Sequence, residues 1–137
     1  MAKAQEAAAQ GGERSAWARS FHSIELLANE NRGRLALAGP ANLRGSAYNW
    51  FRAAADRQRP AVLLYTPVVL SPMSGRLGDY YLTENQPDAA IEAFGDALLA
   101  FPNDLEAMQG LHRAYEAAKQ PDKAAALARK IKLLQQP

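Results

Sequence analysis

Apolar side chains recur along this chain at intervals of three and four residues, broken by proline, glycine and asparagine, which is the pattern of short amphipathic helices. From residue 71 onward the breaks mark out four of them. Ser71-Pro72 reads as a cap followed by a first-turn proline and opens a helix to about Thr83. Gln86-Pro87 opens a second, to about Phe101, and Asn103 or Asp104 a third, to about Ala118. Gln120-Pro121-Asp122 opens the fourth, to about Gln135. Asp88, Asp104 and Asp122 fall in first turns, and Arg129, Lys130 and Lys132 near a last turn, where each sign suits the helix dipole. Upstream, Trp17, Phe21, Ile24, Leu27 and Ala28 form a stripe that predicts a helix from about Arg14 to Ala38, interrupted at Gly33 and ended by Gly39-Pro40. Ala47, Phe51 and Ala54 mark another, from about Ala41 to Gln58. Residues 1–13, with Gly11-Gly12, read as a flexible tail. Residues 59–70 carry Pro60, Pro67 and a β-branched, aromatic run that favours an extended path. Such a connector is expected to pack along the helices; bordering a groove and gating it, or pairing as an edge strand, are the alternatives.

The helices repeat. Gln86-Pro87-Asp88 recurs as Gln120-Pro121-Asp122, a spacing of 34 residues, and Leu77 with Leu111, Tyr81 with Tyr115 and Ala90 with Ala124 recur at the same spacing. Within the first copy, Leu77 and Gly78 precede Tyr81 by about a turn, Ala90, Phe94 and Ala97 follow in the second helix, and Pro102 closes the unit. Small residues at Gly78 and Ala90 let two antiparallel helices approach, while Tyr81 and Phe94 fill the flanking space. A 34-residue period with these residues at these offsets resembles the tetratricopeptide repeat family. The second copy, from Leu105, is degenerate: His112 replaces the glycine, Ala128 the aromatic, Ile131 the last alanine and Gln136 the proline.

The expected architecture is therefore all-α, a short right-handed superhelix of antiparallel helix pairs, about six helices with one extended connector. It divides into a diverged hairpin at 14–58, the connector at 59–70, a repeat at 71–104 and a degenerate repeat at 105–137, with 14–137 as one structural domain. A third pair is physically needed, because two repeats alone bury a thin core.

Composition narrows the chemistry. Alanine and leucine make up about a third of the chain, a helical bias. No cysteine is present, which excludes disulfides, thiolate metal sites and a cysteine nucleophile. The two histidines, His22 and His112, lie far apart, no nucleotide-binding, zinc-protease or nucleophile-elbow motif occurs, and Asp79, Glu84, Glu92 and Asp96 read as helix-surface carboxylates. A non-enzymatic protein with no cofactor and no bound metal is the expectation. No run is long and apolar enough to span a bilayer, and the amino terminus lacks the apolar core of a signal peptide. The cytoplasm is favoured, or the periplasm if the chain is a fragment of an exported protein; the pattern also resembles the carboxy-terminal repeat portion of larger bacterial tetratricopeptide proteins. Lys and Arg outnumber Asp and Glu by nine to five in residues 1–70 and are outnumbered seven to nine in residues 71–137, for a net charge of +2. Arg32, Arg34, Arg44, Arg52, Arg57 and Arg59, with Tyr48 and Trp50 among them, raise an RNA-binding alternative, but so small a net charge does not make nucleic acid the expected partner.

The resemblance implies a scaffold that binds a protein or peptide on its concave face. Carried over position by position, the groove residues are Pro72, Gly75, Asp79 and Leu82, then Glu106, Gln109, Arg113 and Glu116. The Lys and Asn pattern that grips a peptide carboxylate in chaperone-binding members is missing, and the partly acidic groove suits a peptide of some basic character. The last helix, with Leu127, Ile131 and Leu134 expected to face inward, is polar enough to act as its own cap; a homodimer through that end face, or a role as an assembly piece of a longer chain, are the alternatives.

Overall fold

The computed structural model describes residues 2–58 and 71–136, with side chains from Ser20 onward. Among these residues six helices follow one another and no strand occurs: α1 (Ala2–Ala38), α2 (Ala41–Arg57), α3 (Met73–Thr83), α4 (Pro87–Ala100), α5 (Leu105–Ala117) and α6 (Pro121–Leu134). They pair as α1 with α2, α3 with α4 and α5 with α6, and each pair packs on the next. The first helices of the pairs also touch: α1 meets α3 and α3 meets α5, whereas among the described residues α2, α4 and α6 do not meet one another. The stack therefore closes on the side of α1, α3 and α5, which forms its inner face.

Local chemistry sets the boundaries. Pro87 and Pro121 occupy first turns, where a missing N–H costs nothing. Asp104 caps α5 by accepting a 2.7 Å hydrogen bond from the Ala107 amide. Helices α3 and α5 end through residues in the left-handed region, Asn85 (φ 55°) and Lys119 (φ 57°), one repeat length apart. Ser71 does not cap α3; Pro72 holds that position, and Gln58 supplies the partners instead. Its Oε1 accepts from the Met73 amide at 2.6 Å and its Nε2 donates to the Ser71 carbonyl at 2.9 Å, so the end of α2 is pinned to the start of α3. The extended path expected for that connector lies outside the described residues.

Each of the first two pairs closes on a phenylalanine ring set against a residue with no side chain. Phe94 of α4 lies against Gly78 of α3, where a methyl group would come within 2.8 Å of the ring, and its other edge lies against Gly110 of α5. Phe51 of α2 lies against Gly33 of α1 in the same way, where a methyl group would come within 2.6 Å. Gly33 thus does not interrupt α1, as its sequence suggested; it is the point of closest approach. The amino-terminal hairpin repeats the Gly–Phe contact of the first repeat with a separation two residues longer, which hides it from a 34-residue register. Around these rings Ala47, Ala54, Ala90, Ala97, Ala107 and Ala114 are buried, and Leu77, Tyr80, Met73 and Met108 complete the core.

Two expectations on exposed and buried faces are corrected. Phe21 and Ile24 are 59% and 61% exposed and Leu27 is exposed as well, while α1 buries Leu26, Asn29, Glu30, Gly33 and Ala36. The buried stripe holds a carboxylate, an amide and a glycine, so it is invisible to a search for apolar residues. Trp17 lies outside the residues whose side chains are described. At the other end, Leu127 and Ile131 are partly buried but Leu134 is 48% exposed. Helix α1 also runs unbroken from Ala2, through the residues where a flexible tail was expected.

Candidate functional site

The inner face is crossed by ion pairs that link one helix pair to the next. Glu30 of α1 accepts from Arg34 at 2.6 Å, one turn along the same helix, and from Arg76 of α3 at 3.0 Å. Arg76 reaches on to Glu106 of α5 at 2.6 Å. Beside this chain Asp79 of α3 accepts from Arg113 of α5 at 3.0 Å. Glu30 is largely buried, so its two guanidinium partners are what make its charge tolerable there. Burial also raises the Asp79 carboxyl above the ordinary carboxylate value, and Arg113 and Arg76 only partly offset that.

The residues expected to line the groove divide into two sets. Pro72 and Gly75 are buried at the start of α3 and offer no surface. Asp79, read from the sequence as a helix-surface carboxylate, is half-buried and bound to Arg113. Leu82 packs against the core around Phe94. Glu106, Gln109, Arg113 and Glu116 are exposed on successive turns of α5, and Glu116 approaches His112 Nδ1 at 3.4 Å. The groove carboxylates therefore already face cations of the chain itself, so the inner face alternates in sign. Glu30 and Arg76, which organise it, were not singled out by sequence; the usable signal was that Arg76 and Glu106 both sit in the first turns of neighbouring inner helices.

Three arginines of the amino-terminal half are similarly engaged. Arg34 binds Glu30, Arg52 binds Asp56 at 3.0 Å, and the Arg32 guanidinium lies 4.9 Å from the centre of the Trp50 ring. Tyr48 stacks at a tilt on Tyr80 and Tyr81, with ring centres 6.1 and 6.2 Å away, so this ring is spent on the interface between α2 and α3. Arg59 lies outside the described residues. No group of three His, Asp or Glu side chains that could hold a metal occurs among the described residues, and none of their helices is long and apolar enough to cross a membrane.

The family model described as Tetratricopeptide repeat matches residues 81–137. Comparison with curated proteins and with solved structures returned no match.

Proposed function

Because the tetratricopeptide repeat model matches residues 81–137, we propose that this chain is a non-enzymatic interaction scaffold that holds a protein or peptide segment across the exposed faces of α3 and α5. The observation that carries this reading is the row of Glu106, Gln109, Arg113 and Glu116, exposed on consecutive turns of one inner helix. The ion pairs from Glu30 through Arg76 to Glu106, and from Asp79 to Arg113, hold α1, α3 and α5 in a fixed relation, so little ordering cost falls on binding. Glu106 and Glu116, the two carboxylates of the row, keep their side chains 61% and 62% exposed and favour a segment with basic side chains. The test is fluorescence anisotropy with a library of basic peptides, comparing wild type with Glu106→Lys and Glu116→Lys. A loss of at least about tenfold in affinity for either variant supports the groove. Identical binding by all three proteins refutes it.

A further inference from the structure

An open cavity of about 440 Å³ lies at the carboxy-terminal end of the stack, between α5 and α6, and is lined by Gln109, His112, Arg113, Ala128, Ile131 and Lys132 among others. Its counterpart inside the stack shows what it is shaped to receive. Gln109, Arg113 and Ala128 stand 34 residues after Gly75, Asp79 and Phe94, and those three line the junction between the first repeat and α5. There Asp104, which caps α5, and Glu106 and Ala107 in its first turn close the space to about 10 Å³. The two sites occupy the same place in successive repeats; one has a helix seated on it and the other does not.

The differences between them specify the helix that would fit the end face. In the inner junction Phe94 fills the gap, so the incoming α5 must be small at Ala107 and Gly110. At the end face Ala128 stands where the ring would be, so the incoming helix has to bring the bulk itself. In the inner junction α5 presents Arg113 to Asp79 at 3.0 Å. Shifted by one repeat, the residue that takes that place on an incoming helix meets Arg113, whose guanidinium keeps a side chain 59% exposed. Lys132, beside it on the rim, has no ion-pair partner among the described residues, and residues 119–136 hold five Lys and Arg against the single carboxylate of Asp122.

We propose that this end face docks an amphipathic helix from a partner protein, with bulky apolar residues over Ala128 and Ile131 and acidic residues facing Arg113 and Lys132. Such a helix continues the stack by one inner helix; it shares Gln109 and Arg113 with the row on α5 to which a basic segment is assigned, and adds Ala128, Ile131 and Lys132 of α6.

The probe is a fluorescein-labelled stapled helix of about four turns, with leucine at i, i+3, i+4 and i+7 and glutamate on the flanks, beside a version with lysine for every glutamate. The glutamate helix is expected to bind saturably and the lysine helix at least about tenfold more weakly. Ala128→Phe, which restores the ring of the inner junction and fills the cavity, is expected to remove binding with the helical circular dichroism unchanged. Lys132→Glu, a surface change, is expected to weaken the glutamate helix and strengthen the lysine helix. Absence of binding, equal binding of the two helices, or binding unaffected by both variants overturns the proposal. Sedimentation of the protein alone at two concentrations completes the test: self-association abolished by Ala128→Phe would give the face to a second copy and overturn it too. Ala128→Phe and Lys132→Glu lie outside the α5 row, and Glu106→Lys and Glu116→Lys lie outside the lining of the end face, so each reading can fail alone.

Discussion

Replacing a helical glycine by alanine should change stability with opposite signs at different places in this stack. In a helix interior the substitution alone is worth about 0.8–1.0 kcal/mol in favour of alanine. Gly45 of α2 and Gly95 of α4 have nothing within 4 Å of the new methyl group, so Gly45→Ala and Gly95→Ala are expected to gain most of that amount. At Gly78 the methyl group would come within 2.8 Å of the Phe94 ring. The ring cannot retreat, because Gly110 backs its other edge. Overpacking of this kind costs about 1–3 kcal/mol, so Gly78→Ala is expected to lose about 1 kcal/mol net, a fall of about 4 °C in Tm for a chain of this size. Gly110→Ala, where the approach is closer, is expected to lose more. The measurement is urea unfolding followed by far-UV circular dichroism, because both tryptophans lie on α1 and α2 and their fluorescence reports on one end only. Phe94→Leu shrinks the obstacle, so Gly78→Ala in that background should cost less than in wild type, a coupling read from the double-mutant cycle. If Gly78→Ala and Gly110→Ala are as stable as Gly95→Ala, the account of how the pairs close is wrong.

Three other outcomes are expected. Lys119→Gly removes a left-handed, β-carbon-bearing residue at φ 57° and should raise stability by about 0.5–1 kcal/mol, whereas a loss in urea unfolding would contradict the strain assigned there. Gln58→Ala deletes the two hydrogen bonds that pin Ser71 and Met73 and should cost about 1–2 kcal/mol, with unchanged stability counting against that role. Asp79 binds its proton more tightly folded than unfolded, because burial raises its pKa; the native state then holds more protons just above the ordinary carboxylate value, and stability is lost as pH rises through that window. Wild type should accordingly lose stability relative to Asp79→Asn between acid and neutral pH, and a difference in unfolding midpoint that is flat or grows in favour of wild type would refute the assignment.

Most of the helical plan was legible along the chain, because it rests on local chemistry. Proline in first turns, aspartate at Asp104 and the recurrence of Gln-Pro-Asp act within a few residues, and a 34-residue period needs only self-comparison. The residues that decide how helices meet were half legible. Gly78 and Phe94 were evident from their offsets, but Gly33 and Phe51 do the same work at a separation two residues longer, and Gly33 taken alone reads as a helix breaker. Only the partner across the contact tells the two apart.

The face of α1 was not legible at all. Its apolar stripe of Phe21, Ile24 and Leu27 is exposed, and the buried stripe runs through Asn29, Glu30 and Gly33. A buried carboxylate is admissible only where cations reach it, and Arg76 does so from 46 positions away, a juxtaposition that no local pattern encodes. The same holds for the inner face, which reads as partly acidic when its residues are counted and is compensated once Asp79 meets Arg113 and Glu106 meets Arg76. The sequence by itself determined the repeat, the helix boundaries and the likeness of residues 81–137 to the tetratricopeptide repeat, since propensity, capping and periodicity are short-ranged. Tertiary structure alone decided which charges are spent on the fold and which remain for a partner, since Coulombic pairing and close packing depend on distance in space.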